Sequence, residues 1–83
     1  MKSSTTAGFL KQLADLPSST RKQARKQFRI WLKNPHHPSL HFKPVGNYWS
    51  ARVNREIRAL GVRHNDEMVW FFIGSHDGYE KKI

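Results

Sequence analysis

The chain has 83 residues, which is enough for one small domain with one hydrophobic core. It carries 15 Lys and Arg against 6 Asp and Glu, and the resulting net charge of +9 excludes a protein that handles cationic ligands. The partner of such a chain is expected to be phosphate, an acidic protein or an anionic membrane surface. With 37% hydrophobic residues the chain can bury a core, so it is not predicted to be disordered.

Several further classes of protein are excluded by what the sequence lacks. There is no Cys, and therefore no disulfide framework and no thiolate chemistry. The longest apolar run, residues 68–73, is too short to cross a bilayer, and residues 1–8 lack the apolar region of a signal peptide. We therefore predict a single soluble domain over residues 1–83, located in the cytoplasm and without a membrane partner.

The predicted elements begin with two helices. Phe9, Leu10 and Leu13 share helical spacing, and Pro17 ends that segment. Residues 18–20, two Ser and a Thr, supply N-cap candidates for a second helix that runs to about residue 33. This second helix is amphipathic, with a cationic outer face. Its predicted apolar face consists of Ala24, Phe28, Trp31 and Leu32.

After the second helix the hydrophobic pattern becomes alternating and predicts antiparallel strands. Pro35 and Pro38 are expected to keep the intervening segment extended. Residues 68–73 are apolar on both faces and are predicted to form the central, fully covered strand. The predicted strands are residues 40–45, 49–53, 57–63 and 68–73, joined by turns at 46–47, 54–56 and 65–66.

The fold class that follows is α+β. Two N-terminal helices pack on one face of a small antiparallel sheet, which is mainly a meander. Residues 75–83 are predicted to form a short C-terminal helical turn, and residues 1–6 carry a weak signal for an edge strand.

Three groups of residues are candidates for function. The first is the cationic face of the second helix, which is either a phosphate-binding stripe or an ordinary solvated surface. Residues 1–55 contain eleven Lys and Arg but a single acid, Asp15, and this imbalance raises the stripe to equal weight with the solvated surface, so both interpretations stay open. The stripe consists of Lys22, Arg25, Lys26 and Arg29.

The second group consists of arginines near the predicted 54–56 turn. Strand alternation places Arg52 on the face opposite Trp49, and Arg58 is expected to be partly covered. A partly covered guanidinium needs an anion, which is either the carboxylate of Glu56 or Asp77 or a phosphate from a ligand. The full group is Arg52, Arg55 and Arg58, with Arg63 and His64 at the adjoining strand end.

The third group lies in the C-terminal tail. His76 directly follows the last strand and can exchange a proton near neutral pH, although a histidine there is also a common capping residue. Tyr79 can donate a hydrogen bond or stack on a base. By contrast, the spacing of His36, His37 and His41 matches no standard zinc pattern, and no metal or other cofactor is predicted.

Four segments in this order resemble the RelE/ParE superfamily, the toxins of bacterial type II toxin–antitoxin modules. They are Leu16-Pro17, NPHHPSL (residues 34–40), YWSARVNREIRAL (48–60) and IGSHDGYEKK (73–82). The likeness runs from about Phe9 to the end of the sequence. Its central part is most similar to the RelE and YoeB toxins, which cut mRNA in the ribosomal A site.

The resemblance implies a RelE-like fold and a metal-independent endoribonuclease that uses the 2′-OH of its substrate as nucleophile. It implies that Arg52 and Arg58 contact phosphate, that His76 acts as general acid or base, and that Tyr79 is an accessory or stacking group. His41 and Lys43 match the place where relatives keep a base, but no Glu occupies that strand here. The general base therefore stays open among His41, His64 and His76. The remaining predicted RNA-binding residues are Lys22, Arg25, Lys26, Arg29, Arg55 and Arg63.

The resemblance also implies partners. These are mRNA and the ribosome, together with a cognate antitoxin whose acidic or amphipathic segment wraps the toxin and could anchor between the second helix and the sheet. Two alternatives stay open: an inhibitor of DNA gyrase of the ParE type, and a basic nucleic-acid-binding relative without catalysis.

Overall fold

The computed structural model describes residues 2–83 and confirms the α+β fold class. Within these residues one five-stranded sheet has the order β1-β5-β4-β3-β2, and three α-helices accompany it. The helices are α1 (Ala7–Ala14), α2 (Ser18–Lys33) and α3 (His76–Lys82), and a short 3-10 turn covers Pro38–Leu40. The strands are β1 (Lys2–Thr5), β2 (Lys43–Val45), β3 (Tyr48–Arg52), β4 (Ile57–His64) and β5 (Glu67–Ser75).

Strands β2 to β5 form the predicted antiparallel meander. The turns at residues 46–47 and 65–66 each join two strands through two residues. Gly46 and Asn65 have φ values of 59° and 56°, the left-handed conformation that Gly and Asn tolerate best. The predicted hairpins are confirmed, as is the C-terminal helical turn, which begins after the N-cap Ser75.

The position of the last strand differs from the prediction. The weakly signalled edge strand exists as β1, which pairs in parallel with β5 through registers such as Thr5↔Trp70. As a result β4, and not β5, is the middle strand of the sheet. Residues 68–73 nevertheless belong to an inner strand, and their side chains are buried or half-buried on both faces of the sheet, as their unbroken apolar run indicated.

The segment between α2 and β2 is not extended. Pro38 begins a 3-10 turn because its fixed φ suits the first helical position, and the His37 ring accepts a hydrogen bond from the Ser39 amide. Leu40, predicted to open the first strand, lies in this turn and is only 1% exposed. The strand starts later, at Lys43, after His41 has adopted a left-handed conformation with φ 45°.

The beginning of α2 also differs in detail. The helix spans 18–33 as predicted, but its N-cap is Pro17, which has no side chain that can cap it. Ser18 is already the first helical residue, so the predicted caps at residues 18–20 lie inside the first turn. Helix α1, by contrast, has a true cap, since Thr6 Oγ1 accepts a hydrogen bond of 3.1 Å from the Phe9 amide.

Two clusters of buried side chains lie on opposite faces of the sheet. The larger cluster lies under α1 and α2, where the Trp31 ring meets Trp70 edge-on with centroids 5.4 Å apart. The smaller one consists of Leu60, Phe72 and Tyr79, and α3 contributes the tyrosine. No helix within residues 2–83 combines the length and apolar character that a membrane crossing requires.

Part of the apolar face predicted for α2 is exposed. Trp31 is buried and Ala24 packs against the core, but Phe28 and Leu32 are 41% and 51% exposed. The inward face of α2 instead runs through Ala24, Gln27 and Trp31. Phe28 stacks on Trp31 at 6.2 Å and borders an apolar groove of about 330 Å³ between the helices and the sheet.

Candidate functional site

Two arginines lie directly opposite each other on neighbouring strands. The register of β3 and β4 pairs Arg52 with Arg58, beside the pair Ala51↔Ala59. Both alanines belong to the cluster under α1 and α2, and side chains alternate along a strand. The two arginines therefore lie on the face turned away from these helices, as predicted for Arg52, and we call this the open face of the sheet.

Backbone carbonyls hold the Arg58 guanidinium. Its Nη1 donates to the Asn54 carbonyl at 2.6 Å and approaches the carbonyls of Arg55 and Ile57 at 3.4 and 3.3 Å. Within residues 2–83 the only ion pair joins His76 and Glu80. Neither carboxylate proposed from the sequence, Glu56 or Asp77, therefore pairs with Arg58.

The arrangement of Arg52 and Arg58 favours an external anion. Like charges at directly opposite positions of an antiparallel pair repel each other by up to about 1 kcal/mol. No carboxylate of the described residues offsets this repulsion. A phosphate bound by both guanidinium groups would do so, with the paired N–H geometry that arginine offers to oxyanions.

His41 approaches this arginine pair from the loop before β2. Its Nε2 lies 3.5 Å from Nη1 of Arg52, and its side chain is exposed. Its left-handed backbone is uncommon for a residue other than Gly, and such conformations concentrate at functional sites. Lys43, two residues later, is exposed and pairs with Ser50 in β3.

His76 reaches the same end of the sheet from α3. Its backbone amide donates to the Glu56 carbonyl in the β3–β4 turn at 3.1 Å, and β4 residue Arg58 pairs with Gly74 just before α3. The His76 ring is more than half exposed, and its Nε2 lies 2.7 Å from a carboxylate oxygen of Glu80. The ring is therefore oriented by Glu80 and open to a ligand.

Tyr79 has a different environment from the one predicted. It is buried with Leu60 and Phe72 in the small cluster, although its ring stacks on His76 with centroids 5.8 Å apart. In this conformation the Tyr79 ring is not free to stack on a base. Its contacts anchor α3 to the sheet and so position His76.

The structure separates Arg63 and His64 from the other arginines. They lie at the end of β4 remote from Arg58, five and six residues along the strand, which correspond to about 17 and 20 Å. Arg63 lies over the Trp49 ring, 5.9 Å from its centroid, which places it on the helix side of the sheet. Of the three candidate bases, His41 and His76 are near the arginine pair and His64 is not.

The predicted stripe on α2 is exposed but is divided between two surfaces. Arg25 and Arg29 border the apolar groove, whereas Lys26 borders an adjoining polar pocket that shares Gln27, Arg52 and Val53 with the groove. Lys22 lines neither of these, and Arg55 is exposed in the β3–β4 turn beside Arg58. The stripe is thus a set of cations with different neighbours.

Two residues that the sequence did not single out hold the site together. Asn54 Oδ1 accepts hydrogen bonds from the amides of Glu56 and Ile57, which shapes the turn whose carbonyls bind Arg58. Gln27 Nε2 donates to the Arg52 carbonyl at 3.0 Å. An Asn at the start of a turn is a recognisable signal, whereas Gln27 is marked only by its spacing from Trp31.

The described residues contain no grouping of three or more His, Asp or Glu side chains that could bind a metal ion. The open face offers guanidinium groups, imidazoles and backbone groups. Such a set can bind a phosphodiester, stabilise added charge on it and exchange protons with its oxygens.

The fold is shared with several solved structures. The toxin–antitoxin complex of RelB and RelE from Methanococcus jannaschii matches with a TM-score of 0.74 at 14% identity, over 95% of this chain and 96% of that one. A YoeB/ParE toxin from Agrobacterium tumefaciens matches with a TM-score of 0.71 at 15% identity, over 92% of this chain and 99% of that one.

YafQ from Escherichia coli strain BL21(DE3) matches with a TM-score of 0.74 at 11% identity, over 94% of this chain and 96% of that one. No family model and no curated protein matches the sequence. The chain thus has the fold of the RelE-like toxins, as its resemblance to the RelE/ParE superfamily predicted.

Proposed function

We propose that the protein is the toxin of a type II toxin–antitoxin module and cleaves mRNA on the ribosome without a metal ion. The observation that carries the proposal is the Arg52–Arg58 pair, which lies on the open face without a carboxylate partner and near two histidines. The RelE-like fold supports it, because structures of that fold include complexes of toxin with antitoxin.

Cleavage would begin when a base removes the proton of a ribose 2′-OH. The resulting oxygen attacks the adjacent phosphorus, the bond to the 5′-oxygen breaks, and a 2′,3′-cyclic phosphate remains. Arg58 and Arg52 stabilise the negative charge that develops on the phosphorus-bound oxygens, which is the step where preorganised donors contribute most.

Two histidines are available for the proton transfers. His41 lies beside Arg52 and is assigned as the base that accepts the 2′-OH proton. His76, oriented by Glu80 at the other side of the arginine pair, is assigned as the acid that protonates the departing 5′-oxygen. Tyr79 supports this assignment indirectly by fixing α3, and Lys43, Arg55 and Lys22 contribute positive charge for RNA.

The antitoxin is assigned to the apolar groove between the helices and the sheet. Exposed Phe28 and Leu10 line this groove, and Arg25 and Arg29 border it. An amphipathic helix with an acidic outer face would cover the apolar side chains and pair with the two arginines. Binding there leaves the open face to be covered by a further part of the same partner.

The direct test is to induce the protein in a bacterial host and map the 5′ ends of cellular mRNA. We expect cuts in register with codons that disappear when translation is blocked. Arg58→Ala should reduce cleavage by about 10²- to 10³-fold, as loss of one preorganised charge-stabilising donor does. Lys11→Ala, which removes an exposed charge from α1, should cleave like the parent chain.

Three results would contradict the proposal. Undiminished, codon-aligned cleavage by the Arg58→Ala protein would show that this arginine does not act on the phosphate. Growth arrest with blocked gyrase supercoiling and intact mRNA would instead support a ParE-type inhibitor. RNA binding without any cleavage on translating ribosomes would support a non-catalytic relative.

A further inference from the structure

A second concave site adjoins the arginine pair. This polar pocket, of about 320 Å³, lies between α2 and the β3–β4 turn, and Arg52 belongs both to its wall and to the open face. Its volume falls at the lower end of the range for small-molecule sites, about 300–1,000 Å³. The lining residues are Gln23, Lys26, Gln27, Ser39, Arg52, Val53 and Asn54.

Side-chain hydrogen bonds fix the walls of this pocket. Gln27 Nε2 donates to the carbonyls of Arg52 and Ser39, at 3.0 and 3.3 Å, and so links α2 to β3 and to the 3-10 turn. Asn54 Nδ2 donates to Gln23 Oε1 at 2.7 Å and links the β3–β4 turn to the same helix. The pocket is therefore preorganised by contacts between segments that are far apart in sequence.

The charge of the pocket selects an anion. Lys26 and Arg52 line it, whereas none of the lining residues is Asp or Glu. Within residues 2–83 neither cation forms an ion pair. The remaining lining groups are three amide side chains, a serine and a single apolar residue, Val53, so the pocket suits a ligand that is polar as well as anionic.

We propose that this pocket binds the nucleotide next to the scissile phosphodiester, with its phosphate between Lys26 and Arg52. Arg52 connects the two sites, so a single strand whose scissile phosphate lies at Arg58 continues into the pocket with the neighbouring phosphate. Gln23 Nε2 and Gln27 Oε1, which take no part in the hydrogen bonds that hold the walls, then face the sugar or base of that nucleotide. This inference rests on the proposed function, because it assumes that single-stranded RNA is the substrate.

The same inference assigns the cations of α2 to different ligands. Lys26 contacts RNA, whereas Arg25 and Arg29 border the apolar groove on another side of the helix. A polyanionic peptide is the rival occupant of the polar pocket. Its carboxylates would bind the same cations, but the amide groups of the pocket would have no partner on the peptide.

The test measures binding of a fluorescently labelled hexauridylate to the full chain over a series of salt concentrations. Each phosphate contact in single-stranded nucleic acid contributes about 0.7 to the slope of log K against log salt. Lys26→Gln should lower that slope by about 0.7 and Lys26→Arg should retain it. Lys33→Gln, the matched control, removes an exposed charge from α2 outside the pocket and should change the slope less.

Equal slopes for Lys26→Gln and Lys33→Gln would overturn the inference. It would also be overturned if Lys26→Gln weakened the binding of hexaglutamate as much as it weakens the binding of hexauridylate. Failure of the parent chain to bind hexauridylate would also overturn it. These outcomes are separable from failure of the proposed function, because codon-aligned cleavage by the parent chain is measured independently. All variants should unfold at the temperature of the parent chain, since both lysines are exposed.

Discussion

The two faces of the sheet differ in how completely apolar side chains cover them. On the helix side, α1 and α2 cover a cluster of eight buried residues that contains Trp31 and Trp70. On the open side, α3 packs its Tyr79 against only two buried sheet residues, Leu60 and Phe72, and the Arg52–Arg58 pair lies beside this small cluster. The first face supplies most of the burial that stabilises the fold.

This difference shows how a small domain accommodates charges that oppose its own stability. Two arginines placed opposite each other are destabilising by up to about 1 kcal/mol, which the larger cluster on the other face can offset. A face that contributes little to stability can therefore carry residues selected for binding an anion.

The first prediction tests whether stability resides on the helix side. Trp31→Ala removes a ring that is 2% exposed, and we expect it to lower the free energy of unfolding by about 3–5 kcal/mol. Phe28→Ala removes a neighbouring ring that is 41% exposed, and should cost no more than about 1 kcal/mol. Urea denaturation followed by tryptophan fluorescence and circular dichroism measures both. Similar losses for the two variants would show that α2 packs differently from the structure.

The second prediction separates the apolar groove from the open face. Arg25→Glu combined with Arg29→Glu should weaken binding of the cognate antitoxin by about 10- to 100-fold, since each reversed rim charge is worth about 1 kcal/mol. The proposed cleavage of mRNA by the free chain should fall much less than in Arg58→Ala. Lys2→Glu with Lys11→Glu is the matched control, because it makes the same charge change at two exposed lysines that lie outside the groove and outside α3. An antitoxin affinity equal in the two double variants would place the antitoxin elsewhere.

The third prediction has the smallest expected effect on stability and concerns α3, the helix that packs on the open face. Ser75 Oγ caps this helix by accepting a hydrogen bond from the Gly78 amide, so Ser75→Ala should destabilise the protein by about 1 kcal/mol. Ser19→Ala should have almost no effect, because Ser19 lies inside the first turn of α2 and caps nothing. The midpoint of thermal unfolding distinguishes them. A larger loss for Ser19→Ala would reverse the assignment of the caps.

Much of the fold could be predicted because its signals are local. The helix spacing around Leu13, the alternation in β3 and the turn residues Gly46 and Asn65 all correspond to elements of the structure. The prediction was wrong at Leu40, where Pro38 starts a 3-10 turn, and at Phe28 and Leu32, which helix spacing alone assigned to the core. Helical periodicity identifies an apolar stripe but not which edge of that stripe the rest of the protein covers.

The candidate site was only partly predictable for a related reason. The sequence indicated Arg52, Arg58 and His76 as candidates, but it grouped Arg63 with them although β4 carries that residue about 17 Å away from Arg58. Tyr79 was expected to act as an accessory or stacking group and is instead buried between α3 and the sheet. Whether two strand residues meet depends on register and direction, and these follow from pairing between strands.

The amino-acid sequence by itself determined the fold class, the excess of positive charge and the types of residue available for phosphate chemistry, because composition, periodicity and turn signals act over a few residues. Only the tertiary structure decided that Arg52 lies opposite Arg58 and that Lys26 and Arg25 border different cavities. These relations depend on contacts such as that between Gln27 and Arg52, which are 25 residues apart. Such contacts form only when the whole core packs, so no local pattern encodes them.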